Sequence, residues 1–270
     1  MGQQRVAIVT GASSGIGRAT AISLARRGYA VVLAARRAEK LAAVAEDCQA
    51  ADSNMQTLIV PTDVRDESQV QKLVDTTVDK LARVDVMVNN AGIGLNARIH
   101  ETTDDQMRRI FDVNYFGVFY GCRAAAPVMI RQRSGHIFNV SSVIGKRGTP
   151  LNGAYSATKF AIVGLTDAMR VEMMPYNVRV TCVCPGLTDT EFFDKVEGGS
   201  KHGKTSFAAL RTLQSPSHVG RKIAATVGKP KPELVFTPGG KLLVFLNSLS
   251  PRLTDKMMAL YRDDLLKGKM

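Results

Sequence analysis

Short apolar runs and longer stretches of helical periodicity alternate along the chain. The runs at residues 6–9, 30–34, 55–60, 84–88, 136–140 and 178–183 are continuous and rich in valine and isoleucine. Such runs suit strands buried on both faces. Between them, residues 16–27, 39–50, 67–81, 104–131 and 154–174 read as helices, the first ended by Gly28 and the fourth expected to kink at Pro127.

Strands separated by helices of this length cannot form hairpins. They imply parallel pairing through right-handed crossovers, with helices on both faces of one sheet. The pattern therefore predicts a single doubly wound α/β domain over residues 1–270. No internal repeat, low-complexity tract or linker interrupts it. A polar, glycine-rich stretch at 197–204 follows the sixth strand, at the sheet edge where ligands bind. A lid is expected over 188–215. Its Phe192, Phe193, Phe207 and Leu210 either wall an apolar substrate or pack the lid upon itself.

Composition narrows the classes. A hydrophobic content of 45% over 270 residues permits one large core. No apolar run approaches the roughly 18 residues needed to span a bilayer. The start of the chain shows no signal-peptide pattern, and Val6 stands where a myristoylation signal wants Ser or Thr. A cytoplasmic protein is expected. Cys48, Cys122, Cys182 and Cys184 lack metal-ligand spacing and read as core residues in a reducing compartment, so no metal site is expected.

The net charge is +12, and residues 195–270 carry 14 Lys/Arg against 5 Asp/Glu. Without a recognition motif or a basic patch interleaved with aromatics, nucleic acid is not an expected partner. The region from about Gly239 to residue 270 is expected to form a basic extension. There, Leu242, Leu243, Phe245 and Leu246 adjoin Lys241, and Lys256, Arg262, Lys267 and Lys269 follow. This suits either a helix packed on the domain or peripheral contact with an anionic membrane.

The first strand leads into Thr10-Gly11-Ala12-Ser13-Ser14-Gly15-Ile16-Gly17. Glycines let a backbone approach a pyrophosphate closely, and the helix that follows offers unpaired N–H groups. The end of the second strand bears on the choice of dinucleotide. An NAD site places a carboxylate there for the ribose 2′-hydroxyl, whereas this chain has Ala35-Arg36-Arg37. Two guanidiniums beside a 2′-phosphate favour NADP(H), with Arg36 the main contact and Arg37 either a second contact or a solvated helix start. In Thr62-Asp63-Val64, Asp63 is placed either to accept from an adenine amino group or to cap the helix beginning near Asp66.

Tyr155 and Lys159 lie four apart on a predicted helix and so share a face. An ammonium near a phenol favours the phenolate and lowers its pKa, which equips the pair to exchange a proton with a carbonyl or alcohol oxygen. Ser142, thirteen residues earlier at the end of the fifth strand, can hold that oxygen. It has no Gly-x-Ser-x-Gly surroundings and so does not read as a nucleophile. Asn114, in the long helical region, is either a surface residue or the anchor of a relay water.

Together these motifs resemble the short-chain dehydrogenase/reductase family, and their order agrees over roughly residues 5 to 190: the glycine-rich turn, Asn89-Asn90-Ala91-Gly92, Ser142, Tyr155 with Lys159, and Pro185-Gly186. The resemblance implies a Rossmann-like sheet and a catalytic tetrad of Asn114, Ser142, Tyr155 and Lys159. It implies that Gly11, Ser13, Ser14, Gly15, Ile16, Gly17, Asp63, Val64, Asn90, Ala91 and Gly92 line the adenosine and pyrophosphate side. It places Pro185, Gly186, Thr188 and Thr190 at the nicotinamide carboxamide, and it counts Tyr155 and Lys159 among the cofactor-binding residues as well, Lys159 at the nicotinamide ribose. The Ala35-Arg36 pattern is similar to that of NADP-preferring members.

Many members end in a strand followed by a Gly-Gly segment that packs in a tetramer. This chain reads instead as 234–238 followed by a basic tail, so a homodimer through the two long helices stands beside the homotetramer. The expected function is an NADPH-dependent carbonyl reductase, or alcohol dehydrogenase, acting on a small and apolar ketone or secondary alcohol. A dinucleotide sensor without turnover is the alternative.

Overall fold

The computed structural model describes residues 4–52, 55–191, 196–198 and 214–267. Seven strands form one sheet: β1 (Val6–Thr10), β2 (Ala30–Ala35), β3 (Thr57–Pro61), β4 (Val86–Asn89), β5 (Gly135–Val140), β6 (Val178–Cys184) and β7 (Glu233–Val235). Their order is β3-β2-β1-β4-β5-β6-β7, and every pairing is parallel. The chain order reverses between β1 and β4, which opens a crevice at the carboxyl ends of those two strands.

Helices α1 (Gly15–Ala25), α2 (Ala38–Ala51) and α7 (Pro216–Thr226) pack on one face. Helices α3 (Glu67–Leu81), α5 (Gly117–Gln132) and α6 (Gly153–Met173) cover the other. Strand alternation divides the core between them, with Val6 and Ile8 facing α3 and α5, and Ala7 and Val9 facing α1. Polar links join the central strands as well. Buried Asn89 donates to Asn139 at 2.8 Å, and Asn139 donates to Thr166 of α6 at 3.1 Å.

The predicted elements agree with these to within a few residues, with two instructive differences. The long helical region is broken, though not at Pro127. It consists of α4 (Asp104–Phe111), a π-helical turn (Asp112–Phe116) and α5, and Pro127 lies inside α5. The terminal pattern taken as absent is partly present. Strand β7 forms, and Gly239 and Gly240 follow it in the first turn of α8 (Pro238–Leu249), where Thr237 accepts from Gly240 N. A further helix, α9 (Pro251–Lys267), completes the extension. No helix among the described residues is long and apolar enough to cross a membrane.

Candidate active site

The glycine-rich turn is stitched to the end of β4. Thr10 Oγ1 accepts from Asn90 N at 3.0 Å and Ala91 N at 3.2 Å, and Asn90 Nδ2 donates to Thr10 O at 3.0 Å. Gly11 takes a positive φ of 63°, and a Cβ there would lie 2.8 Å from Ala91 Cα. A Cβ on Gly17 would run into the Gly11 carbonyl. Ser14 precedes α1 without making a side-chain cap, so the first N–H groups of this helix, Ile16 among them, open into the crevice uncapped by it.

Arg37 and Arg36 separate in their contacts. Arg37 donates to Ser13 Oγ at 3.0 Å and lies 4.0 Å from Glu191, while Lys40 lies 3.4 Å from the same carboxylate. Arg36 is exposed at the end of β2. It adds to the field that, after the bond from Arg65, holds the Asp63 carboxyl below its usual range. Asp63 does not cap α3. That role falls to Asp66, which accepts from Ser68 N and Gln69 N, while Asp63 pairs with Arg65 at 2.6 Å. Val64 is buried against Gly117 at the start of α5.

At the other end of the crevice, β5 ends in Val140, Ser141 and Ser142. Lys159 is almost fully buried and donates through Nζ to Val140 O at 2.9 Å. Its ammonium lies 5.5 Å from the Tyr155 ring centre. The Tyr155 hydroxyl is hydrogen-bonded to Ser142, and Ser142 Oγ also donates to Pro185 O at 3.4 Å.

Burial raises the Tyr155 phenol above its ordinary value, and the bond with Ser142 pulls it down in part. Burial also lowers Lys159 to about 8. The lowering of Tyr155 that the sequence assigns to Lys159 is not found: burial raises the phenol, Ser142 offsets this only in part, and Lys159 is turned to the Val140 carbonyl. Asn114 sits buried in the π-helical turn rather than at the surface. It accepts from Ile93 N at 2.8 Å and donates to Ile93 O at 3.0 Å, so its amide pins the chain after β4. Gly92 lies between the two polar groups, and a Cβ there would stand 3.3 Å from Asn114 Oδ1 and 3.8 Å from Lys159 Nζ.

The segment after β6 crosses both ends of the crevice. Val143 N donates to Pro185 O at 3.0 Å, and Gly186 abuts Thr237. Thr188 is buried and bonds Gly186 O at 3.0 Å. Thr190 reaches the glycine-rich turn, its Cγ2 being 3.0 Å from where a Cβ of Gly15 would lie. Phe192, Phe193, Phe207 and Leu210 lie outside the described residues.

Comparison with known proteins agrees with this arrangement. The family model described as short chain dehydrogenase matches residues 5–201. The chain belongs to the short-chain dehydrogenase/reductase family. An uncharacterized oxidoreductase of Staphylococcus saprophyticus is 37% identical over 223 residues, covering 80% of this chain and 94% of that one. A short-chain dehydrogenase/reductase of Burkholderia phymatum, solved in complex with NAD, superposes with a TM-score of 0.83 at 27% identity over 94% of this chain and 97% of that one. An alcohol dehydrogenase of Thermococcus sibiricus, complexed with 5-hydroxy-NADP, gives 0.76 at 27% identity over 86% and 96%.

As a short-chain dehydrogenase/reductase, the chain is an oxidoreductase domain built for a nicotinamide dinucleotide. The donor set fits such a group: uncapped N–H groups at α1, Arg36 and Arg37 beyond the turn, and an apolar crevice floor at Ala91 and Gly92. Among the described residues no cluster of His, Cys, Asp or Glu could hold a metal.

Several contributors escaped the sequence reading. Thr10 was seen as part of a motif, not as the acceptor that joins two strand ends. Glu191 and Glu197 anchor the segment after β6 on opposite sides, Glu197 to Gln106 at 3.0 Å and to Arg109. A Glu-x5-Glu spacing beside a glycine-rich stretch is the only local signal for this, and it does not name the partners.

Proposed function

We propose that the protein is an NADP(H)-dependent carbonyl reductase and secondary-alcohol dehydrogenase. The observation that carries this reading is the convergence of Tyr155, Ser142 and Lys159 at the carboxyl end of the sheet, in the same crevice as the glycine-rich turn and Arg37. Bound there, the dinucleotide supplies or takes up hydride at its nicotinamide.

Ser142 and Tyr155 hold the substrate oxygen from one side. In reduction, Tyr155 gives its hydroxyl proton to that oxygen as the carbon–oxygen double bond becomes single; in oxidation it takes the proton back. A phenol kept protonated by burial suits the donor role at neutral pH. Lys159 lies beside the ring, 5.5 Å from its centre, and the bond with Ser142 stabilises the tyrosinate left behind. Asn114 fixes the Ile93 segment, and with it Gly92, against this centre.

Arg36 and Arg37 favour NADP(H) by meeting its 2′-phosphate, and Asp63 and Asn90 line the adenosine side. Pro185, Gly186, Thr188 and Thr190 border the carboxamide. The carbonyl compound is apolar, because Tyr155 packs against an apolar cluster of Leu95, Ile110 and Ala154. The protein acts as a homodimer through α6, whose outer face exposes Phe160, Gly164 and Val171 in register. The test is NADPH oxidation against a panel of apolar ketones. Turnover with at least one of them is expected, and a purified, dinucleotide-binding chain that turns over no ketone or secondary alcohol contradicts the reading.

A further inference from the structure

Six large apolar side chains stand in the open on the last two helices. Leu242, Phe245 and Leu249 lie on α8, and Leu253, Met257 and Leu260 lie on α9; each is between 42% and 73% exposed. At 3.6 residues per turn, each trio falls within about 60° of helix circumference. These are stripes rather than scattered contacts, and a surface of this extent calls for an occupant.

Among the described side chains, cations outnumber acids around the stripes. Lys241 borders the first, and Arg252 and Lys256 border the second, all exposed. The acid between them, Asp255, is neutralised by Arg147 Nη2 at 2.6 Å. The exposed face of α6 differs, because Phe160 and Val171 share it with Asp167 and Glu172. That mixed face suits a second copy of the chain, whereas an apolar stripe whose described edge is mainly cationic suits an anionic lipid surface.

The stripes are also tied to the crevice. Gly240, in the first turn of α8, packs against Val143, the residue after Ser142; a Cβ there would be 2.9 Å from Val143 Cγ2. Arg147, which holds α9, lies just beyond the same turn. The first turn of α8 therefore lies beside the catalytic centre, with the apolar stripe on the opposite side of the helix.

We propose that the apolar faces of α8 and α9 dock on the anionic surface of a phospholipid bilayer, so that the crevice draws its carbonyl compound from the membrane. The docking stands on the surface alone, and the supply of substrate rests on the function proposed above. With no membrane-spanning helix among the described residues, the contact is peripheral and reversible.

Co-sedimentation of the full chain with phosphatidylcholine vesicles, with and without phosphatidylserine, tests it. Binding to the phosphatidylserine vesicles is expected, weakening as salt is raised. Phe245→Ser with Leu249→Ser should reduce that binding at least about tenfold. Arg252→Glu with Lys256→Glu should abolish the preference for phosphatidylserine. Both variants should keep wild-type circular dichroism and wild-type turnover of a water-soluble ketone. Absence of binding to either vesicle overturns the proposal, as does binding unchanged in both variants. So does a fall from dimer to monomer in the serine variant, read by sedimentation velocity, with vesicle binding unaltered, because a second copy then covers the face. Vesicle binding that behaves as described in a chain that reduces no ketone upholds the docking and overturns the redox reading instead.

Discussion

Arg36 and Arg37 are neighbours in sequence that do different work. Arg37 is drawn to Ser13 in the glycine-rich turn, and Arg36 stays free to face the end of β2. A charge-assisted hydrogen bond contributes roughly 1.5–3 kcal/mol, about tenfold to hundredfold in affinity. Ala35→Asp combined with Arg36→Ala should reverse the NADPH over NADH ratio of kcat/KM by about that factor, since the new carboxylate accepts from a 2′-hydroxyl and repels a phosphate. An unchanged ratio removes Arg36 from the site.

His136, unremarked in the sequence, is the other residue with a measurable signature. It is buried in β5 and accepts from Gly228 N through Nδ1 at 3.2 Å, so its Nε2 donates to Thr181 Oγ1 at 2.8 Å. Burial lowers it from 6.5 to about 3. The unfolded chain takes up a proton below about 6.5 that the folded one refuses until about 3, so stability present above pH 6.5 is lost as the pH falls through that window. Urea denaturation at a series of pH values should show a steeper acid decline in the wild type than in His136→Gln. Equal slopes contradict this role.

At the scale of elements, what was legible is what local pattern dictates. Strands β1 to β6 read correctly because continuous valine-rich runs between helices have few alternatives. The glycine-rich turn read correctly because Gly11 and Gly15 occupy positive φ, at 63° and 55°, which other residues avoid. What failed depended on distant partners. The π-helical turn at Asp112–Phe116 carries no signature of its own and coincides with the residue, Asn114, that pairs with Ile93 21 positions away. Asp63 and Asp66 both precede α3, and only the side-chain geometry tells which of them caps it. Tyr155, Lys159 and Ser142 were legible as a set, but the turning of Lys159 to Val140 was not.

The Asn114 pairing makes its own prediction. Asn114→Ala leaves the Ile93 N–H and carbonyl without their buried partner, a cost of about 1–3 kcal/mol for each group left unsatisfied. The melting temperature should fall, and kcat should fall further than loss of folded protein explains. A variant with wild-type melting and wild-type kcat contradicts the positioning role.

Over the whole molecule, the sheet reversal between β1 and β4 fixes one crevice, and the rest of the chain furnishes its two ends. Strands β1 and β2 bring the glycine-rich turn and the arginines; β5, β6 and α6 bring Ser142, Pro185, Tyr155 and Lys159. The segment after β6 touches both, through Thr190 at the turn and Pro185 at the serine. A dinucleotide bound in that crevice would meet the glycine-rich turn and the arginines at one end and Ser142, Tyr155 and Lys159 at the other.

Tyr155→Phe removes the hydroxyl proton and keeps the ring. Turnover and NADPH binding measured on the same preparation, by absorbance and by fluorescence titration, therefore test the account most directly. The account predicts that ketone reduction is abolished while NADPH affinity stays within about twofold of wild type, since the variant loses the proton path and keeps the packed ring. A Tyr155→Phe protein that reduces the ketone with wild-type kcat would contradict it.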